Sequence, residues 1–294
     1  MREARGPPRR AAGQAAHPRG RLPRAHRAGA PRVSAVTPTS DSDVGEFTPR
    51  PGRASLGRMA RAQVWMELKL MLRNGEQLLL SLIVPIGLLV VCTKLTFIQV
   101  DGRRADFFVP GVLALAIMSA AFAGQAIATG FDRQYGVLKR LGATALPRTV
   151  LLLGKTGAVL VVELLQLVLL IGVGLLLGWR PDGDPISVLL LLAFGTAAFC
   201  GLAFLLAGAL RAMTTLALAN ILWFVLLVFG GIMYPLSELG GAQGVIEVLP
   251  SAALSSGLRE VLQDGHHVPF EHLTVLGLWA VVSMTAAAAT FRWE

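Results

Sequence analysis

Charge is scarce in this chain. Only 15% of its 294 residues are Asp, Glu, Lys or Arg, against about a quarter in an ordinary soluble domain. Cysteine is nearly absent. Cys92 and Cys200 each sit inside an apolar run with no CxxC or His/Cys cluster nearby, so both read as small buried apolar residues, with no disulfide or metal site. Strand-like alternation over about ten residues, the mark of a transmembrane barrel, is missing too. No Walker motif is present. The nearest approach, TVLLLGKT at Thr149–Thr156, has threonine in place of the first glycine and opens an apolar run instead of following a strand. The backbone amides that cradle phosphates need that glycine loop, so no ATP or other cofactor is expected to bind this chain directly.

What is present is apolar sequence in long blocks. Hydrophobic residues make up 54% of the chain, gathered into runs near the 20 residues or so that a bilayer core demands. The pattern predicts an all-α polytopic membrane protein with six spans, at about 78–98, 107–128, 150–179, 186–210, 213–234 and 273–291. Pro85 is expected to kink the first, and Lys94 to snorkel from its end. Trp179, Tyr234, Trp279 and Trp293 fall near span ends, as an aromatic belt would, while Trp223 lies deeper and reads as packing. Gly172, Gly174, Gly178, Gly201 and Gly208 read as close helix contacts.

Outside the spans, residues 1–57 form a Pro/Ala/Gly/Arg-rich tail with no apolar period, expected to be disordered. Eleven of the 27 basic residues are arginines of this tail, so the net charge of +9 does not imply nucleic-acid binding. Arg9-Arg10 has no apolar region behind it and is no twin-arginine signal. Met59 offers a more conventional start, and a 58–294 membrane domain follows. From Met59 to Asn74, Val64, Trp65, Leu68, Met71 and Leu72 recur at helical spacing opposite Arg61, Lys69 and Arg73. This predicts an amphipathic elbow helix in the cytoplasmic interface, with Trp65 at headgroup depth. Between Pro235 and Glu271 the apolar pieces 244–249 and 252–262 are too short to cross. They read as a re-entrant hairpin on the outer face. His266-His267 there reads as exposed loop.

The loop after the second span holds the densest pattern: Asp132-Arg133, Gly136, Leu138-Lys139-Arg140-Leu141, Ala143-Thr144, Leu146-Pro147-Arg148 and Gly154-Lys155. A short helix over 132–141 is expected to present Arg133, Lys139 and Arg140 beside Val137, Leu138 and Leu141. These residues resemble the cytoplasmic loop of ABC-2 type transporter permeases of the daunorubicin-exporter kind, with Gln134 where the family's second acid usually stands. Asn220–Pro235 (NILWFVLLVFGGIMYP), Leu249-Pro250 and Gly257-Leu258-Arg259 are similar to the family's fifth span and outer segment. The resemblance covers residues 59–294. It implies a non-enzymatic permease subunit of an ATP-driven bacterial plasma-membrane exporter for a drug, natural product or other amphiphile. It also implies a separate ABC ATPase partner that uses the ATP, and a second permease copy, identical or related, within membrane lipid. Asp132, Arg133, Gly136, Lys139, Arg140, Pro147 and Arg148 would then form the ATPase-coupling loop.

Glu163 and Gln166, one turn apart in the third span, and Asn220 in the fifth are candidates for a translocation path. A carboxyl within a span is a functional-site hypothesis by default; a packing role for Glu163 stands beside it. An ion-coupled secondary carrier using Glu163, or a non-transporting scaffold, are the competing readings. Lys/Arg placement favours cytoplasmic termini: Arg58, Arg61, Lys69, Arg73, Arg133, Lys139, Arg140, Arg148, Lys155, Arg211 and Arg292 fall inside. Lys94, Arg103, Arg104, Arg180 and Arg259 fall outside. In a background lacking Cys92 and Cys200, Arg140→Cys is expected to resist a membrane-impermeant thiol reagent on intact cells, whereas Gly102→Cys and Asp182→Cys should react. The reverse pattern would invert the orientation.

Overall fold

The computed structural model describes residues 54–95, 103–144, 146–181, 183–232, 243–263, 265 and 268–291. The expectations for the tail before residue 54, for Tyr234–Gly241, His266-His267 and for Arg292–Trp293 lie outside them. Among the described residues every regular element is helical. The helices are α1 (Leu56–Arg73), α2 (Gly75–Lys94), α3 (Arg104–Met118), a π-helical turn (Ser119–Gly124), α4 (Gln125–Gln134) and α5 (Val137–Gly142). Then come α6 (Arg148–Leu176), α7 (Pro185–Ala209), α8 (Ala212–Phe229), α9 (Gln243–Ile246), α10 (Pro250–Leu262) and α11 (Phe270–Thr290).

Six helical stretches are long and apolar enough to cross a membrane: α2, the continuous path Arg104–Gln134, α6, α7, α8 and α11. They coincide with the six expected runs to within a few residues, except that the second span runs on to Gln134. Backbone hydrogen bonding explains why these apolar runs are helices. In hydrocarbon every N–H and C=O must be satisfied internally, and a helix does this within one segment. Where a helix starts or stops, polar groups take over. Asp184 caps α7 through Ile186 and Ser187 N–H, at 3.3 and 3.1 Å, with Pro185 at the first helical position, where its missing N–H costs nothing.

The path Arg104–Gln134 is the central column, with most of its residues buried. Its mid-point loosens into the π-turn, where the Ser119 hydroxyl accepts the Trp223 indole N–H of α8 at 3.0 Å. Trp223 is thus a packing residue, as its depth suggested. Trp179 differs from expectation. It is 1% exposed and folds back against Gly174, where an added methyl would meet its ring at 3.0 Å, so it fills the bundle rather than an interface.

The first helix begins earlier than expected. It starts at Leu56, before Met59, and the face it buries is polar: Gln63 and Glu67 are its buried residues, while Trp65 is 67% exposed. Helix α1 lies along α6 at a distance set by glycine. A methyl at Gly154 would collide with the Gln63 side chain, and one at Gly157 would come within 2.8 Å of Val64. Overpacking such a contact costs about 1–3 kcal/mol. Gly154→Leu is therefore expected to lower the melting midpoint of the purified protein by several degrees. Gly172→Leu, on the same helix with nothing within 4 Å, should leave it unchanged or slightly raised. Equal effects would show that the α1–α6 approach is not tight.

Candidate functional site

Lys155 organises the site. It stands two turns into α6, about 10 Å along the axis from Arg148, and is 3% exposed. Its ammonium contacts the Asp132 carboxylate of α4 at 2.7 Å and the Glu67 carboxylate of α1 at 3.1 Å. Gln63, one turn before Glu67, donates to the other Glu67 oxygen at 2.9 Å. Three helices far apart in sequence meet at one cation. The same Gly154 that lets α1 approach puts its neighbour Lys155 within reach of Glu67. The Gly-Lys pair that brushes against a phosphate-loop pattern thus makes a helix contact and an ion network.

The loop expected to meet a partner grows directly from this cluster. Asp132, Arg133 and Gln134 end the span helix α4, and the chain breaks at Gly136, whose φ of +72° is left-handed. The single helix expected over 132–141 is therefore two pieces, and only Val137–Gly142 is the short one. The break re-aims the residues. Leu138 is fully buried and anchors α5, while Val137, Lys139 and Arg140 face outward. The expected docking face loses Leu138 and gains Tyr135, 69% exposed and stacked on Phe131 at 6.0 Å. Arg133 turns inward, donating to the Ala207, Gly208 and Leu210 carbonyls at 3.2, 2.9 and 3.3 Å. These are end carbonyls of α7, where a cation also meets the negative end of the helix dipole. Pro147 closes the loop as the N-cap residue of α6, followed by exposed Arg148.

Deeper in α6, Glu163 and Gln166 are 1% and 3% exposed. They do not pair with each other. Glu163 accepts from the Thr196 hydroxyl of α7, and Gln166 donates to the Ser81 carbonyl of α2 at 2.9 Å. The remaining Oε1 of each is buried without a partner, and both residues line a small void of about 10 Å³, roughly one water molecule in size. Gln166 also lines a much larger cavity of about 770 Å³ that runs from Glu67, Asp132 and Lys155 along α2, the central column and α8. Glu163 does not line that cavity. Asn220 does not line it either; its amide donates to the Leu216 carbonyl of its own helix at 2.9 Å.

At the other end of the bundle, α10 supplies Arg259. Its guanidinium lies 4.2 Å from the Phe107 ring centre and donates to the Gly231 and Ile232 carbonyls after α8, the latter at 2.9 Å. Burial pulls its pKa down to about 10. Helix α10 has 13 residues, nearly all buried, about 20 Å of helix and too short to cross.

Sequence reasoning chose Asp132 but missed Glu67, Gln63 and Lys155 as its companions. The signal was available: Lys155 interrupts an apolar run, and Glu67 interrupts an amphipathic one. Removing one partner of a buried ion pair costs about 3–5 kcal/mol, because a charge is left uncompensated. Lys155→Met, which strands two carboxylates, is expected to destabilise the protein in thermal unfolding more than Glu67→Gln, which leaves Lys155 on Asp132. A milder effect of Lys155→Met would mean that the carboxylates do not depend on it.

No relative was found among the curated proteins compared. A family model described as ABC-2 type transporter matches residues 60–262, a stretch that contains the ion cluster, the loop, the cavity-lining helices and α10. With six apolar helices around them, the chain belongs to the ABC-2 type transporter family and is a multi-pass membrane permease subunit of an ABC transporter.

Proposed function

We propose that this permease exports an amphiphilic molecule, driven by ATP hydrolysis on a separate ATPase subunit that docks on the loop 131–148. Both termini lie in the cytoplasm of a bacterial cell, α1 rests in the inner interface, and a second permease copy completes the transporter. The observation that supports this most is the Lys155 cluster. It ties the base of the loop, through Asp132, to α1 and α6 at once, so a push on the loop moves three helices as one body. Rigid-body displacement of packed elements is how such interfaces transmit change. Arg133 adds a second tie, to the end of α7. The outward groups Tyr135, Val137, Lys139 and Arg140 present a mixed apolar and basic surface suited to an acidic groove on the partner.

The secondary-carrier reading gains nothing from the geometry. A coupling carboxyl must meet water or ion on both sides in turn, and Glu163 is 1% exposed beside a single-water void. Its contact with Thr196 is a helix-packing contact. Of the three candidate path residues, Gln166 alone touches the large cavity.

Lys139→Glu combined with Arg140→Glu is expected to cut ATPase co-purification from the co-expressed pair at least tenfold and abolish transport, with the permease itself at normal yield. Wild-type co-purification together with undiminished transport would retire the loop as the docking surface. Replacing Glu163 gives a separate check: Glu163→Gln should keep transport, because an amide still accepts from Thr196, whereas a proton-exchanging carboxyl would not survive the change.

A further inference from the structure

We infer that the small void beside Glu163 and Gln166 is the binding site of one internal water molecule, which donates to the Oε1 atoms of both residues. The site is independent of what the permease carries.

Helical spacing sets the pair. Glu163 and Gln166 are three residues apart on α6, so they share a face and stand about 4.5 Å apart along the axis. Each commits one side-chain atom to a neighbouring helix. Glu163 Oε2 accepts from the Thr196 hydroxyl of α7, and Gln166 Nε2 donates to the Ser81 carbonyl of α2 at 2.9 Å. Each keeps its Oε1 buried and without a partner. A carboxylate oxygen and an amide oxygen are both acceptors and cannot satisfy each other. Buried acceptors call for donors, and here two are needed within one void.

Size and lining select the ligand. The void holds about 10 Å³, room for a single water. The rest of its wall is aliphatic, with Leu113, Ala116 and Ile117 from the central column, Leu167 and Leu170 from α6 and Leu192 from α7. A wholly apolar void stays dry; the two acceptors make this one polar. Water brings two O–H donors, one for each oxygen. A hard metal ion takes about six or more oxygen ligands, and the wall presents two free side-chain oxygens. The water also joins two contacts that are otherwise separate. Thr196, Glu163, the water, Gln166 and Ser81 become one hydrogen-bonded chain from α7 through α6 to α2. Members of such a network depend on one another.

A density map of the purified full chain that resolves ordered waters is expected to show a single peak within about 3.2 Å of both Oε1 atoms. Infrared difference spectra of the full chain in nanodiscs, taken in ordinary and in oxygen-18 water, give a second readout. Wild type should show an isotope-sensitive internal-water O–H band that Gln166→Leu removes. Glu163→Gln should keep it, because one end of the amide can accept from Thr196 while the other donates to the water. Asn220→Leu, which removes an amide outside the chain, should leave the band unchanged. In thermal unfolding, Thr196→Val and Gln166→Leu together should lower the midpoint by no more than about two thirds of the sum of their separate effects, since either one breaks the chain. No peak in the void, a direct contact between the two oxygens, or a peak with ligands at about 2.4 Å, as a metal ion would have, would each overturn the inference. So would a band that survives Gln166→Leu or disappears in Asn220→Leu, or additive losses of stability. If Gln166→Leu does not fold, the wild-type map decides alone.

Discussion

An ammonium buried between two carboxylates is the constraint on which the cytoplasmic half of this bundle depends. Lys155 lies two turns inside an apolar helix, where desolvation alone would cost several kcal/mol. It is tolerated because Glu67 and Asp132 approach to 3.1 and 2.7 Å. Charge thus ties α4 and α1 to α6, and for α1 it adds to the close fit at Gly154 and Gly157. Such pairs often add little net stability compared with an apolar core. What they add here is position: the loop leaves α4 just beyond Asp132, in the one place the ion cluster holds.

Helix α6 repeats the device at two further depths. Glu163 reaches α7 through Thr196, and Gln166 reaches α2 through Ser81. Lipid tails are as apolar as leucine, so hydrophobicity does not choose which helix packs against which. Close-packed small residues and interhelical hydrogen bonds do, at roughly 0.6 kcal/mol each and up to about 1.7. The polar groups of α6 thus name its neighbours in turn: α1 and α4 at the loop end, then α7 and α2. Among the described residues no such contact draws α2 and α8 together, and the large cavity lies between them.

The six spans and the helical class were legible because a bilayer imposes length and apolarity on each segment separately. Each run of the sequence answers that demand without reference to any other. The loop was legible as a pattern of charge, but not as a shape. Gly136 breaks it in two, which turns Leu138 and Arg133 inward and leaves Tyr135 outside. The amphipathic period of α1 gives the helix and its apolar stripe, but not the polar contacts that its other side makes within the bundle. The period locates an apolar stripe, but the tertiary partner offered to α1 was a lysine, and the polar stripe faced it.

The sequence by itself determined which segments are helices, how many can cross a membrane, and where positive charge collects, because those are one-dimensional properties of length, hydropathy and order. Only the tertiary structure decided that Lys155 meets Glu67 88 residues away and Asp132 23 residues away, that Glu163 is buried off the large cavity while Gln166 lines it, and that the Asn220 amide turns back to its own helix at Leu216. Those outcomes depend on which helix faces are brought together, and a sequence spaced at 3.6 residues per turn says which side a residue lies on, but not what stands opposite.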